Sequence, residues 1–508
     1  MYINLPQDED LIEMAEKLEF ELTDVEIHEF QELIPQLFES FESLAQMTSD
    51  LPRVKYTDRS SGVRPPRSED PYNAILRHCS VKGSGVGKLS GKRIGLKDNV
   101  SVAGIPISFG STVMDGYIPD IDATIVTRML DEGAEITAML NMEDFAFSGA
   151  GDSSSWGPCL NPHSSSHLAG GSSSGSAAAL FYDEIDMTIG GDQGGSIRIP
   201  ASWCGIIGMK PTYGLVPYTG VGGIGHTFDH VGPMTRTVSD NALLLEVLAG
   251  KDPFDPRQTN IIVEPYTQSL VTDISDIKIG VVKEGFGHSN SEPDVDSIVR
   301  QASKQLAELG AQVMEVSIPE HVTGLPIWST IAMQETTALF QSNGLGYFSK
   351  GLYNESLGLA LGKSRKVQGI DLPPTLKLSL LMGSYLLERY HGKLYSKAQN
   401  LRNSWTKAYD DHLEQVDVLL MPTTPIKAHK TTENTSIRTL LDNAWDMLNN
   451  TGPFDITGHP SISIPCGKSN GLPIGMMLTG RHFKESILYR VSHSFEQQIN
   501  WEDTFTGI

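Results

Sequence analysis

One run, residues 170–205, constrains this chain more than any other. It opens with Gly170-Gly171-Ser172-Ser173-Ser174-Gly175-Ser176 and resumes with Gly190-Gly191-Asp192-Gln193-Gly194-Gly195-Ser196-Ile197-Arg198-Ile199-Pro200. Between the halves lie an Ala-rich apolar segment, residues 177–186, and the β-like Met187-Thr188-Ile189, so the order reads loop, helix, strand, loop. Residues without a Cβ let backbone N–H groups come close to a reacting atom. A flexible linker does not flank an apolar helix and strand in this way, so the run reads as part of a site.

The rest of the chain supplies a large α/β scaffold for that run. At 508 residues it is long enough for two or three domains, or for one large α/β domain with additions. Residues 8–48 repeat apolar side chains at helical spacing, and Thr23-Asp24-Val25-Glu26 offers a capping box, which predicts two helices. Prolines 52, 65, 66 and 71 mark residues 50–77 as a linker. Strand patterns at 93–100, 135–140, 277–282 and 312–316 alternate with helical patterns at 122–133, 237–250 and 295–309, which predicts a largely parallel sheet. Residues 327–408 read as helical, and strands return at 416–420, 461–464 and 475–478 before a closing helix at 484–498. The expected organisation is an N-terminal helical domain at 1–60 and an α/β domain at 61–508, with a helical lobe inserted at about 320–410.

Charge and cysteine usage bound the partners and the compartment. A net charge of −23 argues against nucleic acid, because phosphate binding needs a basic surface. No stretch reaches the roughly eighteen uncharged apolar residues of a membrane span. Cys79, Cys159, Cys204 and Cys466 are far apart and form no CxxC pair, which suits a reducing compartment. The acidic start of the chain lacks the order of a signal peptide, so the expected location is cytoplasmic. Gly83-Ser84-Gly85-Val86-Gly87-Lys88 fits neither the Walker nor the dinucleotide spacing.

Ser196 is the candidate nucleophile. Gln193, Gly194 and Gly195 precede it, so successive N–H groups can converge on an oxygen as an oxyanion hole. Asp192 and Arg198 flank the turn and are placed to pair across it. A serine hydroxyl needs a base, and the run contains no histidine. The pairs His163/His167 and His226/His230 lie in Ser- or Gly-rich segments without a carboxylate at helical spacing, so no metal is assigned to them. A buried lysine can be neutral and act as the base. Lys97, at the end of the strand Arg93-Ile94-Gly95-Leu96-Lys97-Asp98-Asn99-Val100, is the candidate.

Together these residues resemble the amidase signature family. The likeness rests on Gly170-Gly171-Ser172-Ser173, on Gly194-Gly195-Ser196 with 24 positions from Ser172 to Ser196, and on Lys97-Asp98-Asn99. It extends through Gly157-Pro158, Asn161-Pro162, Gly208-Met209-Lys210-Pro211-Thr212 and Gly458-His459-Pro460. The helical N-terminus and Glu284-Gly285-Phe286-Gly287-His288 resemble bacterial amidases of the nitrile-degradation pathway. Ser174 stands where the family usually has Gly, and Ala169 where Pro is common.

The resemblance implies a large mixed, mostly parallel sheet flanked by helices and a triad with Ser196 as nucleophile, Ser172 as relay after a cis peptide bond and Lys97 as base. It places the Gln193, Gly194, Gly195 and Ser196 N–H groups at the substrate oxygen, with Ser173 in support. Phe145, Phe147, Ile224, Trp328 and Leu448 are the candidate walls of an apolar acyl pocket. The implied activity is hydrolysis of small amides through an acyl-enzyme, with no metal or other cofactor. Carbamate or ester hydrolysis, the glutaminase-type component of a transamidation complex and a non-catalytic anion-binding module are the alternatives. The expected partner is a small amide or carbamate, with neither nucleic acid nor membrane, and a homodimer is carried as one option for the assembly.

Overall fold

The structure is a computed structural model that describes residues 3–432 and 436–499. The chain divides into two compact units, Met1–Arg53 and Val54–Ile508. Among the described residues the first unit holds two helices, Asp8–Lys17 and Asp24–Ala45. The second helix starts where the sequence predicts. Thr23 Oγ1 accepts from the Glu26 N–H at 3.3 Å, and the Glu26 carboxylate accepts from the Thr23 N–H at 2.8 Å. Two otherwise unpaired donors of the first turn are thereby satisfied.

The second unit is built on fourteen strands among the described residues. In chain order they are β1 Arg59–Ser60, β2 Ile75–Lys82, β3 Arg93–Lys97, β4 Glu135–Leu140, β5 Leu160–Asn161, β6 Ser164–Leu168 and β7 Met187–Asp192. There follow β8 Ile207–Lys210, β9 His230–Thr235, β10 Lys278–Val282, β11 Gln312–Val316, β12 Val418–Pro422, β13 Ser461–Ser469 and β14 Leu472–Gly480. β5 and β6 form a small ribbon; the other twelve make one sheet in the order β1-β2-β4-β3-β7-β9-β8-β13-β14-β12-β10-β11.

The sheet is mixed and flanked by helices, as expected, but the expectation that it is mostly parallel is corrected. Parallel pairing is confined to β4-β3-β7 and to β12-β10-β11. The strands between and outside these blocks pair antiparallel. Two local features explain the difference. β13 and β14 are joined by Asn470-Gly471, both at positive φ (53° and 80°), the backbone that a two-residue hairpin turn requires. β9 contains Gly232 and Pro233, which hide it from a strand-propensity reading. β2 likewise begins inside the stretch read as a linker, and its irregular register with β4 blurs its alternation.

Three consequences bear on the site. β3 and β7 run parallel, with Leu96 opposite Ile189, so Lys97 and the glycines after Ile189 emerge at the same end of the sheet. All six residues of β7 are buried. Between β11 and β12 lie four helices, Gly324–Gln341, Glu355–Gln368, Pro374–Tyr390 and Lys393–Leu413, and the first carries Trp328. No helix among the described residues is long and apolar enough to cross a membrane.

Candidate active site

Lys97 and Ser172 meet at the carboxyl end of β3. Lys97 Nζ donates to Ser172 Oγ at 2.7 Å and to the Gly191 carbonyl at 3.3 Å. Both side chains are fully buried. The peptide between Gly171 and Ser172 is cis. Gly171 has no room for a side chain, since a Cβ there would lie 2.8 Å from Glu143 Cγ and Oε1. Ser173 ties the two halves of the run together. Its N–H donates to the Ser196 carbonyl at 3.2 Å, its Oγ donates to the Gly191 carbonyl at 3.0 Å, and the Gly191 N–H donates back to Oγ at 3.1 Å.

Burial decides the charge of Lys97. Removal from water pushes its ammonium down to about 7, against the opposing pull of the Asp192, Glu143 and Asp229 carboxylates. A substantial neutral fraction therefore exists at neutral pH, which a general base needs.

The loop after β7 is held by a buried ion network. Arg198 Nε and Nη2 each lie 3.0 Å from an Asp192 carboxylate oxygen, and Nη2 lies 2.8 Å from Asp455 Oδ2. All three side chains are fully buried. Burial alone raises the Asp192 carboxyl; the adjacent Arg198 guanidinium overcomes this and holds it well below the usual carboxylate range. Asp192 also accepts from the Gly195 N–H at 2.6 Å and the Ile197 N–H at 3.1 Å.

The carbonyls of the same loop are held from the other side. Trp328 Nε1 donates to the Gln193 carbonyl and Thr451 Oγ1 to the Gly194 carbonyl, each at 2.6 Å. In a trans peptide the C=O and the following N–H point in opposite directions. The Gly194 N–H is therefore aimed away from Trp328, and the Gly195 N–H away from Thr451 and onto Asp192. Of the four donors the sequence nominates, Gly195 is thus already engaged by Asp192. Gly195 itself sits at φ +140°, and a Cβ there would lie 2.4 Å from Thr451 Oγ1.

Ser196, 6 % exposed, opens onto a narrow cleft. Phe147, Ile224, Trp328 and Leu448 line that cleft, together with Trp445, so four of the five nominated pocket residues come to it. Phe145 does not; it lines an adjoining cavity of about 150 Å³, stacked on Phe109 at 5.8 Å and edge-on to Phe340 at 5.1 Å. Gln193 and Ile224 border both spaces. Of the two histidine pairs, His163 Nε2 bonds the Cys204 carbonyl, His167 Nδ1 bonds Ser164 Oγ, and His230 Nδ1 bonds the Phe228 carbonyl.

Sequence reasoning missed Glu143, Trp445, Thr451 and Asp455. Glu143 is buried and accepts from the Asp152 N–H at 3.0 Å and the Ser153 N–H at 2.6 Å, with further bonds from the Gly151 N–H and Ser153 Oγ. None of the four lies in a Gly- or Ser-rich stretch. An acidic residue inside the otherwise apolar Gly452-Pro453-Phe454-Asp455-Ile456 was the one available signal, because a carboxylate there must have a partner.

Comparison with known proteins decides the family. The profile described as Amidase matches residues 69–488. The chain belongs to the amidase signature family. It is 39% identical over 445 residues to an enantioselective amidase of Rhodococcus rhodochrous, covering 86% of each chain. It is 37% identical over 448 residues to a glutamyl-tRNA(Gln) amidotransferase subunit of Exiguobacterium sibiricum, covering 87% of this chain and 91% of that one. Among solved structures, the native peptide amidase from Stenotrophomonas maltophilia superposes with a TM-score of 0.66 at 28% identity, covering 82% of this chain and 84% of that chain. As a member of this family the chain is an enzyme, a hydrolase of carbon–nitrogen amide bonds.

Proposed function

We propose that the protein hydrolyses small carboxylic amides, aliphatic or aromatic, to the acid and ammonia or an amine through an acyl-enzyme on Ser196. The observation that carries this reading is the buried 2.7 Å contact between Lys97 Nζ and Ser172 Oγ, beneath a loop that presents Ser196 to an apolar cleft. Neutral Lys97 takes the proton of Ser172, and Ser172 takes that of Ser196 as its oxygen attacks the amide carbonyl. The N–H groups of Gln193, Gly194 and Ser196 stabilise the oxyanion, and Asp192 and Arg198 hold the loop in shape. The proton returns through Ser172 to the leaving nitrogen. Water, deprotonated by the same route, then releases the acid.

A second reading, the glutaminase component of a transamidation complex, is favoured by the amidotransferase relative. The cleft itself counts against it, since none of the described residues lining it is charged; the charged side chains nearby, Asp229, Asp255 and Arg257, line the adjoining cavity. Carbamates and esters need the same chemistry and remain in the substrate range. The reading includes a cytoplasmic setting, supported by four unpaired cysteines, three of them buried. Its homodimer is a matter for light scattering.

The test is turnover of an aliphatic amide, an aromatic amide, an anilide, a carbamate and glutamine by the purified chain alone, together with labelling by a serine-reactive phosphonate. The expected result is hydrolysis of an apolar amide and a label on Ser196. Turnover of glutamine alone, and only when partner chains are added, supports the second reading. Absence of any label sinks both and leaves an anion-binding module.

A further inference from the structure

Away from the Ser196 cleft, three ligating side chains converge from segments far apart in sequence. Asp410 comes from the helix Lys393–Leu413, His459 from the turn before β13, and His482 from just after β14. His459 Nε2 lies 3.1 Å and His482 Nδ1 3.9 Å from Asp410 Oδ1, and the three atoms all lie within 4.8 Å of one another. The two imidazoles overlap, with centroids 4.1 Å apart and planes 35° apart. Among the described residues this is the one group of His, Cys, Asp and Glu so arranged.

The hydrogen bonds behind these atoms have the form that metal sites use. His482 Nε2 lies 2.9 Å from the Thr457 carbonyl, and a carbonyl only accepts, so Nε2 carries the hydrogen. Nδ1 of the neutral ring is then a bare lone pair on the side of the Asp410 carboxylate, and two acceptors facing each other repel unless a cation lies between them. His459 Nε2 donates to the Asp410 carboxylate at 3.1 Å while no ion is bound, and Thr457 Oγ1, 2.9 Å from His459 Nδ1, can accept from that nitrogen in the tautomer an ion at Nε2 requires. One residue, Thr457, thus orients both rings.

We propose that Asp410, His459 and His482 bind a divalent transition-metal ion of the zinc, cobalt or nickel class. In a tetrahedral site with bonds of about 2.0 to 2.1 Å the ligand atoms stand roughly 3.3 Å apart; His459 Nε2 is already 3.1 Å from Asp410 Oδ1, whereas His482 Nδ1, at 3.9 Å, has to close in on the ion. Two imidazoles and one carboxylate suit these ions, whereas calcium and magnesium need more oxygen donors. The Asp410 and His482 side chains are 47% and 32% exposed, so the ion has a path in and water can complete its shell. Arg402 and Lys407 border the cleft that Asp410 lines, and their like charge weakens the hold on the ion.

The role is structural. The ion pins the last inserted helix to the ends of β13 and β14. The His459 carbonyl accepts from Lys210 Nζ at 2.7 Å, Lys210 Nζ lies 3.3 Å from His230 Nε2, and His230 Nδ1 lies 3.4 Å from Asp455, the partner of Arg198. Binding to the folded chain therefore stabilises the scaffold beneath the Ser196 loop without joining the chemistry.

The test uses the full chain without a histidine tag, stripped with a chelator and titrated with zinc chloride. The readouts are calorimetry, metal content after dialysis and the visible spectrum of the cobalt form. One zinc per chain and a raised Tm are expected, with amidase activity of the stripped protein retained. Asp410→Asn, at a half-exposed position, weakens zinc binding by roughly 100-fold, and Thr457→Ala, which keeps all three ligands, by about tenfold. Zinc content well below one per chain, or equal affinity in the wild type and Asp410→Asn, overturns the site and leaves a hydrogen-bonded His–Asp cluster.

Discussion

Trp328 donates its indole N–H to the backbone carbonyl of Gln193 across 2.6 Å. A helix that follows β11 thus braces the loop after β7, 135 positions earlier in the chain. The carbonyl it holds belongs to the same peptide as the Gly194 N–H, so the bond fixes the direction of that donor, which the proposed mechanism assigns to the oxyanion.

Trp328→Phe keeps an aromatic ring in the cleft wall and removes that bond. We expect kcat to fall about tenfold, the equivalent of one hydrogen bond of roughly 1.4 kcal/mol, with KM changed less. Steady-state kinetics on one amide decide it; a change confined to KM would make Trp328 a binding wall only.

Ser196→Ala and Lys97→Ala should each lower kcat by roughly 10⁴-fold or more, and Ser172→Ala by a comparable factor, because groups that act as a unit fail as a unit. The double variant Ser196→Ala/Lys97→Ala should be little worse than either single one. Additive losses in the double variant would show that Lys97 and Ser196 act independently.

The pH profile follows from Lys97, whose ammonium burial pushes down to about 7. The base works only as the neutral amine, so kcat/KM should fall as pH drops through about 7 and level off above it. Burial pushes Lys210 to the same value, but it makes no contact with Ser172. If Lys97→Ala keeps the acid limb in its residual activity, the limb belongs to another group.

Arg198→Met leaves Asp192 and Asp455 buried without their cation. Breaking a buried pair in this way costs about 3 to 5 kcal/mol. Urea unfolding monitored by tryptophan fluorescence should show that loss, and a midpoint within error of the wild type would mean that the two carboxylates had found another partner.

Leu448→Ala widens the cleft beside Ser196. A deleted wall of this size should shift kcat/KM by roughly tenfold or more in favour of a bulky aromatic acyl group over a small aliphatic one. An unchanged ratio would place the acyl group elsewhere, with the Phe145 cavity the next space to probe.

Much of this was legible in the residues because the constraint is local. Gly195 takes a backbone of φ +140° that glycine adopts readily, and Lys97 ends an apolar strand that breaks into charge. Where the constraint is not local, reading the chain was weaker. β9 is a strand despite Gly232 and Pro233 because it is buried between β7 and β8, and neighbours of that kind override propensity. Asn470-Gly471 was a readable hairpin signal and would have exposed the antiparallel β13 and β14.

By itself, the sequence determined the serines, the lysine and the backbone freedom around them, since glycine content and spacing act over a few residues. The tertiary structure decided which distant groups close on that run. Glu143, Trp328, Thr451 and Asp455 reach it from three separate segments, and of the four only Asp455, a carboxylate in an apolar run, is marked by its own neighbourhood. The same holds for the charge of Lys97. A lysine is an ammonium by default, and only packing that removes it from water, set against three carboxylates from elsewhere in the chain, brings it to about 7.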